Sequence, residues 1–482
     1  MKYSYKILIL MILAALTMYS CDDMDDSLNV PRELEVQNFI WKGLNLYYLW
    51  QEDSPDLADN RFANQAQLNV FLSNYNNPFT LFNELKVNPS IDRFSVLVED
   101  YVYLENLFQG VTKNNGMEFS LRFKPGSQTE LYGIANYIIP NSDASTKNVT
   151  RGTIFYAIDG QSLTADNYRT LLSSNSYIIN LADFDDGAIT PNGQSVELVK
   201  MELTENPVFL TKVIQTDNEK VGYIMYNGFT ANYDLELNQA FGTLKNEGVT
   251  DLVLDLRYNG GGSVLTATRL ASMITGQFNG QLFAKQQWNS KIQSYFEENN
   301  PSQLTNNFMN SIGNTTINSL NLTRVYILTT GGTASASELV INGLKPYINV
   351  IQIGTKTIGK NVGSVTLYDS PTFNKKDVNP RHTYAMQPIV IKTINKDGFG
   401  EYQDGLIPTV EQAENPSNLG VLGNESEPLL STALGLITGS GRFVPQGNLQ
   451  YGKEFKTSKS ILRFGNEMYI NNDTEIILPN IK

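Results

Sequence analysis

The stretch VYILTTGGTASASELVINGL, residues 325–344, carries the reading from which the rest of the chain can be worked out. Val325 to Thr329 is a short apolar run of the kind buried on both faces of a parallel sheet, and the paired glycines 331 and 332 end it. The following residues to Leu344 have helical spacing, so Ser335 falls at a strand-to-helix turn. A hydroxyl there lies near the first free backbone N–H groups and the positive end of the helix dipole. Those features stabilise an attacking alkoxide and the oxyanion it creates, and the small neighbours Ala334 and Ala336 leave room for a peptide backbone. Ser335 and Glu338 also fit a Ser-x-x-Glu capping box, which needs no catalysis. Taken alone, the segment supports both readings.

Downstream, the apolar strand Val350–Ile353 leads through Gly354 to Lys356-Thr357-Ile358-Gly359-Lys360. A lysine accepts a serine proton at neutral pH only where a poorly hydrated pocket lowers its pKa by several units. The glycine before Lys360 permits the tight backbone such burial requires. Upstream, the strand Leu252–Leu256 ends in Arg257-Tyr258-Asn259-Gly260-Gly261-Gly262, where backbone N–H groups can approach a substrate carbonyl. With Gly222–Tyr226, these short apolar runs alternate with helical stretches, which marks an α/β layer architecture.

These motifs resemble those of the carboxyl-terminal processing, or tail-specific, proteases, which use a Ser-Lys dyad on a crotonase/ClpP-like α/β core. The family's Ser-Ala-Ser-Ala-Ser-Glu pattern stands here as Thr333-Ala334-Ser335-Ala336-Ser337-Glu338, and its Thr-Phe-Gly-Lys-Gly pattern as Thr357-Ile358-Gly359-Lys360-Asn361. The resemblance implies Ser335 as nucleophile and Lys360 as general base, 25 residues apart as in the family. Its Asp-Leu-Arg-x-Asn-x-Gly-Gly pattern, Asp255 to Gly262, implies oxyanion donors at the N–H groups of Gly262 and Ala336. Four residues past the lysine, Ser364 replaces the family's usual lysine-orienting glutamine, so Ser364 or Asn361 is left to orient the amine. Arg151–Asp159-Gly160 resembles a segment of a PDZ domain, with Gly116-Met117-Glu118-Phe119 in the place of its carboxylate-binding loop. Gly116, Met117 and Phe119 are thereby implied as peptide-binding residues.

Working outward, the chain divides by texture. Residues 1–20, with Lys2 and Lys6 before the apolar run Ile7–Leu16, read as a cleaved export signal, and Cys21 stands where bacterial lipoproteins carry their acylated thiol. Residues 21–30 form an acidic tether after that cysteine. Phe39, Leu44, Tyr47 and Leu49 recur at helical spacing in 31–110, a helical cap. Short alternating runs, Met117–Phe123 and Val196–Met201 among them, make 111–216 a β-rich, PDZ-like domain. The protease core spans 217–440, and 441–482 is a strand-rich extension. The expected setting is a bacterial cell envelope, lipid-anchored at the membrane and most readily the outer one.

Composition removes several alternatives. A net charge of −13 argues against a nucleic-acid partner, since phosphate binding is driven by Lys and Arg. One cysteine excludes disulfides within the mature body, and one histidine, His382, excludes an imidazole-built zinc site. His382 lies in a polar turn with no glycine-framed serine beside it. Gly354 to Lys360 nearly spells a nucleotide-binding loop, but Asn361 stands where Ser or Thr must hold magnesium. The expectation is a serine endopeptidase acting on polypeptides, without metal or organic cofactor. A peptide-binding lipoprotein on the same scaffold, catalytically inactive, is the alternative.

Overall fold

The computed structural model describes residues 30–216, 219–439, 451–462 and 464–470. The export signal, Cys21, the acidic tether up to residue 29 and residues 441–450, 463 and 471–482 of the extension lie outside the described residues. Near the N-terminus, helix α1 (Glu35–Tyr47) buries Phe39, Ile40, Leu44 and Tyr47 along one stripe, as its helical spacing requires. It ends at Tyr47, so Leu49 belongs to the next segment, where its N–H donates to the Ile389 carbonyl. Helices α2 (Gln65–Leu72), α3 (Pro78–Glu84) and α4 (Tyr101–Phe108) follow, each started by a side chain that accepts a free N–H: Asn64, Asn77 and Asp100. The apolar faces of α1 to α3 join the core of the later α/β layers instead of forming a separate one.

A β-rich unit comes next: β1 (Met117–Phe123), β2 (Leu131–Ile138), β3 (Ile154–Ile158), helix α5 (Tyr168–Ser173), β4 (Ser176–Asp185) and β5 (Ala188–Val199). The strands pair antiparallel in sequence order around a core of their own that includes Phe119, Leu121, Phe155, Ile158 and Tyr168. The alternation read at Val196–Met201 is divided at Lys200, whose N–H is drawn to the Asn175 carbonyl. Met201–Thr204 pairs instead with Val111–Asn114.

The α/β layers begin with β6 (Val208–Gln215), β7 (Lys220–Tyr226), α6 (Asp234–Asn246) and β8 (Asp251–Asp255). Then come β9 (Gly262–Ser263), α7 (Val264–Thr275), β10 (Leu282–Gln287), β11 (Thr305–Asn307) and β12 (Arg324–Thr329). Helix α8 (Ala336–Leu344), β13 (Asn349–Gly354), β14 (Val362–Val365), β15 (Ile389–Asn395), β16 (Val410–Glu411) and α9 (Pro428–Thr438) complete them. One sheet runs β6-β7-β8-β12-β13-β16, parallel except at β6. Every residue of β8 is buried because helices cover both faces, which is why its sequence is continuously apolar at its centre.

The extension supplies β17 (Glu454–Thr457), a single helical turn α10 (Ser458–Ile461) and β18 (Met468–Ile470). Strand β17 pairs with the free edge of β1, and β18 lies between β9 and β14 in a second sheet of order β9-β18-β14-β15-β10-β11. Among the described residues no helix is long and apolar enough to cross a membrane.

Candidate active site

Ser335 stands between β12 and α8 with φ 66° and ψ −117°, a backbone conformation that a side-chain-bearing residue rarely adopts. Ordinary helix-capping serines are extended and give their oxygen to the helix. Here the Ser335 hydroxyl is buried and has no hydrogen-bonding partner among the described residues. The Ser335 and Glu338 pair has capping-box placement, with the Ser335 N–H donating to Glu338 Oε2 at 2.7 Å. A strained turn holding an unengaged hydroxyl favours a nucleophile over a cap.

Glu338 does more than its motif suggested. Its Oε2 also accepts the Lys360 N–H at 2.8 Å, and its Oε1 accepts the Gly359 N–H at 2.7 Å and the Thr357 hydroxyl. The backbone nitrogens of Ser335 and Lys360 therefore share one carboxylate oxygen, so two residues distant in sequence become neighbours. Burial pushes the Glu338 carboxyl above its usual range, while the four donors hold it down. A third clamp, from Ile358 N–H to the Thr333 carbonyl, fixes the Lys360 loop against the Ser335 turn.

The glycine loop closes the other side. Asn259 accepts the Ala334 N–H and the Ser337 hydroxyl on its carbonyl, while its side chain accepts the Gly261 N–H. A Cβ on Gly261, which has φ 109°, would meet Ser335 Cβ at 2.5 Å and Ala336 N at 3.0 Å, so only glycine brings the loop this close. Gly261 thus abuts Ser335 with Gly262 next in the chain, and Ala336, at the first helical position, has an N–H with no acceptor inside the helix.

Lys360 is wholly buried, with its Nζ 4.6 Å from the centre of the Phe94 ring. It does not hydrogen-bond the Ser335 hydroxyl but donates to Glu467 Oε2 at 2.9 Å. Burial pushes the Lys360 ammonium below the ordinary lysine range, Glu467 and Asp92 oppose that shift, and Arg93 adds to it. Ser364 reaches the same place one atom removed, bonding Glu467 Oε2 at 3.3 Å and the Met468 carbonyl at 3.2 Å. The Asn361 side chain turns away to the Gly400 carbonyl. Sequence reasoning missed Glu467, and it missed the wall built by the cap segment, where Phe94 faces the amine and Arg93 donates to the Gly359 carbonyl.

Gly116 lies just before β1 and Met117 and Phe119 at its start, with both large side chains buried. They are not part of the Ser335 cluster, and the Phe119 N–H is given to Ser458 Oγ at 3.1 Å. His382 pairs with Asp369 at 2.9 Å and accepts the Tyr384 N–H, with its ring beside Phe39 of α1. No group of three or more metal-binding side chains occurs among the described residues.

Residues 220–373 match peptidase family S41, and residues 35–96 match the peptidase S41 N-terminal domain. A carboxyl-terminal-processing protease of Picosynechococcus is 25% identical over 242 residues, covering 46% of this chain and 53% of that one. A chloroplastic C-terminal processing peptidase of Tetradesmus obliquus is 28% identical over 180 residues, covering 36% of this chain and 35% of that one. The chain thus spans about half or less of the length of these two relatives. Among solved structures, a protein assigned to the S41 proteases from Bacteroides fragilis superposes with TM-score 0.64 at 25% identity, covering 84% of this chain and 98% of that one.

Proposed function

We propose that this chain, which belongs to peptidase family S41, is a serine endopeptidase that cuts polypeptides with Ser335 as nucleophile and Lys360 as general base. The observation that carries the reading is the shared Glu338 oxygen, which brings the strained Ser335 turn and the Lys360 loop to one buried point. Neutral Lys360 takes the Ser335 proton as Oγ attacks the scissile carbonyl, and the Gly262 and Ala336 N–H groups receive the oxyanion. The tetrahedral intermediate collapses to an acyl-enzyme as the Lys360 ammonium protonates the leaving amine. Water, deprotonated by the same lysine, then releases the acyl group and regenerates Ser335.

The α/β layers at 217–440 are read as a crotonase/ClpP-like core, and residues 111–216 as a PDZ-like domain that takes an extended peptide along β1. An antiparallel unit flanked by α5, with Gly116 just before β1, supports that second reading. Cys21 is proposed as the lipidated residue that anchors the protein in a bacterial envelope. Incorporation of labelled palmitate by the wild type and its loss in Cys21→Ser tests this.

The experiment for the catalytic reading is mass spectrometry of an unstructured polypeptide incubated with wild-type protein and with Ser335→Ala. Cleavage by the first and not by the second is expected. An intact polypeptide in both would replace the peptidase with a peptide-binding protein, and equal cleavage by both would remove Ser335 from the chemistry.

A further inference from the structure

The extension touches every part of the machinery that a polypeptide substrate needs. Strand β17 lies antiparallel on β1, with Thr457 opposite Ser120 and Lys456 opposite Leu121. Phe455 packs its ring 5.1 Å from Phe123 and 5.2 Å from Tyr168 of α5, filling the groove between strand and helix. At the start of β1, Ser458 accepts the Phe119 N–H and hydrogen-bonds Glu118. An extended segment on a sheet edge, with its side chains in the adjoining groove, is how peptides are taken by strand addition.

The same extension then passes over Ser335. Met468 is opposite Gly262, Tyr469 is opposite both Ser263 and Ser364, and Ile470 is opposite Val365, so β18 fills a slot one strand wide. The Ser263 N–H is already given to the Phe229 carbonyl. In a parallel ladder of this register, that leaves the Gly262 N–H facing the Glu467 carbonyl. The Glu467 carbonyl oxygen, Ser335 Cβ and Ala336 N all lie within 3.0 Å of the point where a Gly261 Cβ would stand. A main-chain carbonyl therefore sits beside the nucleophile and between the two expected oxyanion donors. The side chain of that same residue holds the Lys360 ammonium.

We propose that Glu454–Thr457 and Asn466–Ile470 are an internal occupant of the polypeptide-binding surface, so that a substrate enters by displacing the chain's own strands from β1 and from the slot between β9 and β14. The proposal rests on the peptidase reading for its consequence, but the occupancy itself is a separate matter of who fills the slot. Displacement leaves the scaffold paired, because β14 keeps β15 and β9 keeps its bridge to Phe229. In that slot only the three residues of β18 are paired as a strand. While Glu467 is in place, its Oε2 engages the Lys360 Nζ at 2.9 Å and opposes loss of the proton that the amine must give up before it can accept one from Ser335. Once the carboxylate leaves, the charges still facing the amine are Asp92 and Arg93, of opposite sign, and burial then favours the neutral base.

The test uses the full chain and reduced, alkylated casein as the polypeptide. In Ser335→Ala, saturating casein is expected to speed hydrogen exchange at the amides of 454–457 and 468–470, as these strands leave their partners. Unchanged protection there would overturn the proposal, whether or not the wild type cleaves casein. Glu467→Gln is expected to cleave casein about tenfold faster than wild type, because the competent fraction rises. Its activity should also begin at lower pH, because the carboxylate that raises the Lys360 pKa has gone. Slower cleavage by Glu467→Gln and Glu467→Ala, with wild type still active, would make Glu467 a positioning residue for Lys360 and defeat the inference while sparing the peptidase. Cleavage by neither protein, together with faster exchange, would defeat the peptidase and spare the occupant.

Discussion

Lys360 is fully buried, and a buried amine survives as a charge only with a partner. Its partner here is Glu467, 107 residues away in the chain, so the pairing could not be read locally. Because burial lowers the Lys360 pKa, the neutral base is populated at lower pH than for an exposed lysine, and the sign for activity is a rise with pH. Lys360→Arg keeps a cation beside Glu467 but replaces a group that can lose its proton by one that cannot. We predict that it loses activity by about a thousandfold or more, as removal of a dyad member does, while its thermal unfolding stays cooperative. Assay of cleavage beside a melting curve checks both halves.

At the scale of elements, the strand-turn-helix around Ser335 and the glycine loop were legible because each is a continuous motif whose residue types demand one local geometry. Ser335 itself was ambiguous in sequence, since a capping box and a nucleophile turn share the spelling Ser-x-x-Glu. The φ of 66° and the unengaged hydroxyl favour the second reading, and neither can be seen without coordinates. The role of β18 was illegible for a different reason: three residues carry too little pattern to name a partner strand, and its position depends on the slot left between β9 and β14. Glu338 links the elements, since all four of its contacts are donors. In Glu338→Gln an amide NH2 must face some of those donors, leaving buried groups unsatisfied. We predict a loss of about 2–4 kcal/mol in stability and a fall in kcat from misplacement of the lysine loop, measured by denaturant unfolding and steady-state kinetics.

Across the whole molecule, the β-rich unit is bolted to the α/β layers by a buried ionic network. Arg151, just before β3, donates to the Tyr258 hydroxyl at 2.6 Å and to Glu414 at 2.7 Å. Arg257, fully buried at the glycine loop, pairs with Asp255, Glu414 and Glu427, and Glu427 in turn caps α9. Arg257→Met would strand three carboxylates with one guanidinium fewer, and a loss of about 3–5 kcal/mol is expected in equilibrium unfolding. Burial pushes Glu414 up, but Arg151 and Arg257 together hold its carboxyl down at about 2. A depressed carboxylate stabilises the fold above its unfolded pKa, and that stability is lost as pH falls toward 2. The unfolding free energy should therefore decline from about pH 4.5 downward, and Glu414→Gln should flatten that decline.

The central claim is that an uncharged Lys360 removes the Ser335 proton. The most direct measurement is the pH dependence of kcat/KM for cleavage of an unstructured polypeptide by the wild-type chain. The account predicts a rise through a single ionisation to an alkaline plateau, absent altogether in Lys360→Ala. A profile flat from acid to alkali, or one that persists in Lys360→Ala, would contradict it.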